Sequence, residues 1–466
     1  MWAIRSVNKA ICASIEPVLV AFPPNSAKMF AFFSFVIGIS ISFKNIQNFT
    51  SVKCGGKGRH FYEYNGNLEL FFSTKSFKNV NDTQKSYKIR QSYIPSTIFA
   101  PMLTNRKTRI CFTVTNDLNY DQRMQRICRS LTKNGFSVTL LGRKKSNSAA
   151  LTDQIFHQKR LSCFFQKGIF FYIEYNFTVF FFLIFYKFDI VCAIDLDTIL
   201  PCYFASYIKH KKRVYDAHEL FTEQKEIVTR KKVHAFWKLI EAFTLPKFKY
   251  GYTVNEFIQK EFAKKYAVDY AVIRNLPEKT DLSYVIQNEN FIIYQGSVNE
   301  GRSFETIIPA MKNVDCKLVL FGDGNFFYQT QQLIKKNNLV GKILLKGPVL
   351  PDDLKKITPT AKFGLTIFEN KGLNQYQSLS NRFFDYMMAG IPQICVAYPE
   401  YEKINQQFNI ALMIPDTNSE TIGLAMNKLL LDDVLYLQLK QNCTKAREIL
   451  NWEQEQQQLI AFYKNL

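Results

Sequence analysis

From Arg109 onward, apolar and polar positions follow two alternating periods. RICFTVT, beginning at Arg109, is a β-branched and apolar run with strand character. Asp121 to Asn134 then sets Met124, Ile127 and Leu131 at helical spacing, closed by Gly135. FSVTLLG follows as a second strand, and Asp189–Ala193, Arg213–Asp216 and Gly251–Val254 are further strands separated by segments of helix length. A second series starts after Lys279: FIIYQG (291–296), KLVLFG (317–322), KILLKG (342–347), FGLTIF (363–368) and PQICVA (392–397), with helices over Phe304–Met311 and Phe326–Asn337. Strands alternating with helices predict a parallel sheet with crossover helices. Two such series predict an α/β chain of two doubly wound domains, 102–275 and 276–450. The amphipathic segment Asn451 to Asn465 predicts a last helix, within 451–466, that packs back on the first domain.

Two stretches depart from this rhythm. Tyr175 to Tyr186 (YNFTVFFFLIFY) is the most apolar run of the first half, and its direct lead into the strand at Phe188 predicts a helix buried on all sides, in preference to one dipping into a membrane interface. Residues 1–101 form an N-terminal extension. Met29 to Phe43 is a 15-residue apolar run between Lys28 and Lys44, shorter than the roughly 17–25 residues of a membrane span. Asn45 to Pro101 shows neither period. The two readings are that translation begins at Met102, or that the extension holds a short membrane-associated segment.

The bulk properties refine this picture. At 47% hydrophobic and 21% charged, the 466 residues can fill two cores. The ten cysteines include no C-x-x-C pair and several lie in apolar runs, which predicts small buried hydrophobes in a reducing cytoplasm and no zinc site. The formal net charge of +21 is confined to residues 1–275, because residues 276–466 hold 19 Lys/Arg and 20 Asp/Glu. Runs such as Lys209 to Arg213 suit an anionic membrane surface or a polyanionic ligand. No nucleic-acid motif accompanies the charge, so nucleic acid is not an expected partner.

Three strands of the second series end in glycine turns that open onto helices: Gly296 to Arg302, Gly322-Asp323-Gly324, and Gly347 with its following residues. Ligands of open α/β sheets bind outside the carboxyl ends of the strands. Glycine there lets backbone approach a phosphate, helix N-termini offer free N–H groups, and Arg302 adds a planar cation. In SLSNRFFDYMMAGIP (378–392), Ser378 or Ser380 is expected to cap a helix, with Asp385 one to two turns in and Gly390 ending it. Such a carboxylate can take both hydroxyls of a ribose.

This last segment resembles the donor-site signature S-L-P-N-K-x-F-E-Y-M-A-x-G-x-P of the retaining GT-B glycosyltransferases of family 4. FIIYQGSVNEGRSFETII and LVLFGDG precede it in matching order and spacing. Upstream, TNDLNYDQRMQRI, CAIDLDTILP, VYDAHELFTE, YTVNEFI and VIRNLPE are similar to the family's acceptor-side domain, so the likeness runs from about Arg109 to Leu466. It implies a GT-B fold of two Rossmann-like domains facing a cleft. It also implies transfer of a sugar from a nucleoside-diphosphate sugar to a hydroxyl acceptor, a glycan or lipid-linked molecule, in polysaccharide or glycolipid synthesis.

The resemblance further assigns roles. Arg302 matches the basic residue on the donor diphosphate, assisted by backbone at Gly296, Gly322, Gly324 and the run Ser378, Leu379, Ser380, Asn381, while Asp385 matches the ribose-binding acid. Gln377 stands where the family's first glutamate faces the donor sugar, and Ser297 stands where a second arginine is usual, which leaves one cation at this site. His218 matches the cleft histidine beside the reacting sugar. Asp117, Arg123, Asp195 and Glu219 fall on the acceptor side, and the Asp195-Leu-Asp197 spacing is taken as a capping or acceptor feature and not a metal site. No cofactor is implied, the nucleotide-sugar being the substrate. The expected location is cytoplasmic, at the inner membrane face. The alternatives are a nucleotide-sugar 2-epimerase of the same architecture and a non-catalytic nucleotide-sugar-binding or scaffold protein.

Overall fold

Ile110, Cys111 and Phe112 are buried on both sides, as is every residue of Ile190–Ile194 and Phe291–Gln295. Such runs belong to the middle strands of parallel sheets covered on both faces. The computed structural model describes residues 62–64, 67–69, 106–146, 148–281 and 290–466. The chain divides into two units, Met1–Arg106 and Lys107–Leu466. In the first unit, β1 (Tyr62–Tyr64) pairs antiparallel with β2 (Asn67–Glu69). The apolar run Met29–Phe43 and the start at Met102 lie outside the described residues.

The second unit holds two parallel sheets. The first contains β3 (Arg109–Thr113), β4 (Ser137–Lys144), β5 (His157–Ser162), β6 (Ile190–Ile194), β7 (Lys212–Ala217), β8 (Tyr250–Thr253) and β9 (Ala271–Val272), in the order β5-β4-β3-β6-β7-β8-β9. The second contains β10 (Phe291–Gln295), β11 (Lys317–Phe321), β12 (Ile343–Gly347), β13 (Phe363–Thr366), β14 (Gln393–Val396) and β15 (Ala411–Ile414), in the order β12-β11-β10-β13-β14-β15. In both, the order reverses beside the first strand, between β3 and β6 and between β10 and β13. Chains leaving two neighbouring strands in opposite directions there open a crevice.

Helices cover both sheets. In the first domain they are α1 (Gln122–Lys133), α2 (Gly168–Phe185), α3 (Ile199–Ile208), α4 (Lys231–Thr244) and α5 (Glu256–Tyr266). The second domain has α6 (Phe304–Ala310), α7 (Phe327–Lys336), α8 (Pro351–Ile357), α9 (Asn381–Met388), α10 (Pro399–Phe408), α11 (Ser419–Leu431) and α12 (Asp433–Ala446). Local chemistry sets several ends: Asp121 accepts from the Met124 amide (3.1 Å) to start α1, and Asn255 from the Ile258 amide (2.9 Å) to start α5. The last helix, α13 (Trp452–Lys464), returns to the first domain. Trp452, Leu459 and Tyr463 join its core, and the Trp452 indole donates to Ser130 Oγ (2.9 Å).

One expectation fails. The Tyr175–Tyr186 run belongs to α2, which is not buried on all sides. Phe171, Tyr175, Val179, Phe180 and Leu183 are buried, but Phe170, Phe181 and Phe185 face outward. A helix on one face of a sheet buries only a stripe, and no described element covers the rest of this one. The eight cysteines among the described residues are buried and free.

Candidate active site

The two switch points face each other. The chain leaving β10 forms the turn Gly296–Ser303, and the chain leaving β13 runs through the helical turn Leu373–Tyr376 into α9. Opposite them stand the ends of β3, β6 and β7. Contacts cross between the domains at several points. Asn374 Nδ2 donates to Glu219 Oε2 (2.8 Å) and its Oδ1 accepts the Leu220 amide (3.0 Å). Asn255 Nδ2 donates to the Gln377 carbonyl (2.9 Å), Lys225 pairs with Glu300 (2.6 Å), and Asn275 bonds Asn381 (2.7 Å).

On the second-domain side, Arg302 and Arg382 share one aromatic support. Their guanidinium carbons lie 4.7 and 5.1 Å from the Phe368 ring centre, and Arg382 also lies 4.2 Å from that of Tyr294. Burial and the neighbouring Arg382 lower the Arg302 pKa. Among the described residues, the buried Arg302 Nε and Arg382 Nη1 have no hydrogen-bond partner. A buried cation beside a half-buried one, with N–H groups unspent, is expensive unless an anion joins them. The sequence reading assigned one cation here, and that is corrected: Arg382 supplies a second, through α9 instead of position 297. A Cβ at Gly296 (φ +116°) would sit 3.2 Å from Arg382 Nη2, so glycine keeps this approach open. Arg382 directly follows Asn381 in the signature, where the family shows lysine, so its signal was present in the sequence.

The serines do not act as expected. Ser380 occupies the N-cap of α9 without a side-chain cap bond, and its amide donates to the Tyr401 hydroxyl (2.8 Å). Ser378 Oγ donates to the Gln375 carbonyl (3.0 Å). The first amides of α9, at Asn381 and Arg382, have no acceptor within the helix. Leu379 packs on the second core, leaving its backbone for the site. Gly322 and Gly324 serve the fold: a Cβ at Gly322 would overlap the Gly296 carbonyl oxygen, and one at Gly324 the Val298 carbonyl oxygen. These glycines let two strand-end turns stack, and that stacking shapes the cradle.

Asp385 accepts from Gln295 Nε2 (3.2 Å) and lines a cavity with Gln122, Arg126, Pro351, Thr358 and Met388, drawn from both domains. Burial pushes its carboxyl up to about 6, against the pull of Arg126 and Gln295. Gln295 is itself fixed by Thr358, whose hydroxyl donates to its Oε1 (2.7 Å). Neither Arg126 nor Gln295 was singled out in the sequence, where each looks like an ordinary helix or strand residue.

Across the cleft, His218 sits 3.5 Å by Nδ1 from Asp195 and 3.5 Å by Nε2 from Asp216. Its backbone amide donates to Asp195 Oδ1 (2.9 Å). Burial opposes charge on the ring, but the two carboxylates outweigh it and raise the histidine to about 9. Asp195, in the left-handed region at φ 54°, is pushed up to about 7 by burial, with His218 pulling the other way. Asp216 stays below its ordinary value despite burial, held by Arg123 Nη2 at 2.7 Å and by His218. The two carboxylates thus favour the imidazolium form of the ring, a donor and not a base.

The remaining residues expected on the acceptor side are committed elsewhere. Asp117 is braced by Arg160 (2.6 Å), Ser148 and the Asn119 amide. Asp197 accepts from Thr115 (2.5 Å). Both Glu219 oxygens are occupied, by Gln224 (2.6 Å) and Asn374. Arg123 reaches the cleft only through Asp216.

Two doubly wound domains whose strand ends face each other over such a site define the GT-B architecture. Residues 283–446 match the family model described as "Glycosyl transferases group 1". Among solved structures, the chain resembles sucrose-phosphate synthase from Thermosynechococcus elongatus (TM-score 0.64, 14% identity, 77% of this chain and 99% of that one). It also resembles Anabaena HepE in complex with UDP-glucose (0.62, 12%, 77% and 100%) and the lipopolysaccharide outer core galactosyltransferase WaaB (0.52, 12%, 77% and 98%). At these identities the likeness carries the fold. No curated protein sequence matches the chain.

Proposed function

We propose that the protein transfers a glycosyl group from a nucleoside-diphosphate sugar to a hydroxyl acceptor, with retention of configuration and without a metal. The observation that carries this is the pair of arginines without a salt bridge among the described residues, half-buried Arg302 and buried Arg382, beside the first amides of α9. A diphosphate supplies the missing negative charge, and as the leaving group it gains charge as the glycosidic bond breaks. In this reading the ribose hydroxyls bind Asp385. The sugar lies between Gln377 and His218, whose imidazolium donates a hydrogen bond to a sugar or phosphate oxygen. The acceptor, a glycan or lipid-linked hydroxyl for polysaccharide or glycolipid synthesis, enters from the basic first domain, with an anionic membrane surface as partner on the cytoplasmic face. The similar fold of HepE, seen in complex with UDP-glucose, and of the lipopolysaccharide galactosyltransferase WaaB supports this substrate class. Against a degenerate binding protein stands Arg382, which makes good the charge absent at Ser297.

Thermal unfolding with UDP, GDP and their sugars tests this. A ligand at a hundredfold excess over its Kd stabilises the folded state by about 2.7 kcal/mol, so at least one should raise Tm. The rise should vanish in Arg302→Ala and Arg382→Ala. Wild-type protein indifferent to all of them would end the donor-site reading.

A further inference from the structure

One face of α2 takes no part in the cleft chemistry. Its inner stripe is held in the first domain, where the Tyr175 hydroxyl donates to the Val114 carbonyl and Asn176 Nδ2 to that of Asp197 (3.0 Å). Both acceptors lie just past strand ends at the cleft rim. The outer face presents Phe170 and Phe185, 61% and 76% exposed, with Phe181 between them, and the preceding loop adds Phe164 at 86% beside Phe165. A contiguous aromatic surface of this kind marks an interaction site. Glu174, the acid on this face, is already engaged. Its oxygens accept the backbone amides of Phe164 (2.7 Å) and Phe165 (2.8 Å), which holds those two rings outward.

Positive charge stands at both ends of the helix. Lys167 is its N-cap residue and exposed, and Lys187 is exposed just past its C-terminus. Lys209 Nζ donates to the carbonyls of Leu183 (3.1 Å), Ile184 (3.0 Å) and Tyr186 (2.6 Å). A second copy of the chain docking on this face would bring lysines against lysines. A sheet of lipid phosphates answers the same pattern with opposite charge and offers the rings an apolar layer below the headgroups.

We propose that this face docks on an anionic lipid bilayer, with α2 lying in the plane of the interface, its outer phenylalanines inserted among the acyl chains and its terminal lysines on lipid phosphates. The helix does not cross the bilayer, because Tyr175, Val179 and Leu183 remain packed in the protein. The arrangement places the cleft rim at the membrane surface, where a lipid-linked acceptor resides. It deepens the membrane partner named above and is independent of the donor chemistry.

Co-sedimentation of the full chain with vesicles of phosphatidylcholine, alone or mixed with phosphatidylglycerol, tests it. The protein should pellet with the mixed vesicles and not with phosphatidylcholine alone. Phe181→Ser combined with Phe185→Ser should lower the partition coefficient about tenfold or more, with nucleotide binding and Tm unchanged. If that pair misfolds, Phe164→Ser in the exposed loop and Lys167→Glu with Lys187→Glu should each weaken binding. No pelleting with mixed vesicles would overturn the proposal, as would variants that pellet like wild type or equal binding to neutral vesicles. A dimer in light scattering that these variants abolish, without vesicle binding, would assign the face to a second copy instead. Nucleotide binding and vesicle binding are separate readouts, so either reading can fail alone.

Discussion

Asp385 shows how one half-buried side chain ties binding to pH. Its carboxyl titrates near 6 in place of its ordinary 3.8, chiefly because burial disfavours the charge. An acid whose folded pKa is raised lends stability that is complete below its unfolded pKa and lost as pH rises through the folded value. For the empty protein this window lies between 3.8 and about 6. In the proposed ribose role, ligand binding runs the other way, since only an ionised carboxylate accepts from two hydroxyls. Affinity for the nucleotide-sugar found by thermal shift is expected to fall between about pH 7 and about pH 5. In Asp385→Asn, calorimetric titration should show weak binding without that slope. An unchanged slope in the variant would place the titrating group elsewhere.

At the scale of elements, the stacked turns after β10 and β11 shape the cradle. Gly322 has φ +148° and no room for a Cβ against the Gly296 carbonyl, whereas Gly341, at φ +85°, has open space around it. Alanine at Gly341 should cost about 1–2 kcal/mol, the backbone penalty alone. Gly322→Ala should exceed this, because the turns must separate as well, and should also weaken nucleotide binding. Urea midpoints of the two variants check the difference, and equal midpoints would refute the stacking argument. The same scale explains what a linear reading missed. β5 (HQKRLS) is a polar edge strand with alternating exposure, and β15 is four residues long. β5 leaves no continuous apolar run of the kind by which the central strands were recognised, whereas β15 (ALMI) is such a run and its signal was present in the sequence. The outer face of α2 was misjudged for a related reason: an all-apolar run cannot say which of its sides will find a neighbour.

For the whole molecule, the defining contacts are those that join the domains across the cleft. Asn374 links Glu219 and the Leu220 amide, although the two sides are more than 150 residues apart in sequence. Asn374→Ala removes both bonds, worth about 1–3 kcal/mol together. Small-angle scattering should then report a larger radius of gyration, a cleft more often open. An unchanged scattering profile would show that the other bridges suffice. Helix α13 is the complementary device: Trp452 and Tyr463 are built into the first domain's core, so the chain's end clasps the half it left behind.

By itself the sequence determined the alternation of strands and helices, hence two parallel sheets, and the glycine turns and acid-bearing helix of the second domain. Those features are local, set by hydrophobic period, turn geometry and spacing within one segment. Tertiary structure alone decided how charges are shared. Only folding stacks Arg302 and Arg382 on one phenylalanine, sets His218 between Asp195 and Asp216, and spends Asp117 and Glu219 on bracing. Protonation and pairing depend on neighbours distant in the chain and on the water they exclude, and no periodicity along one strand of residues encodes either.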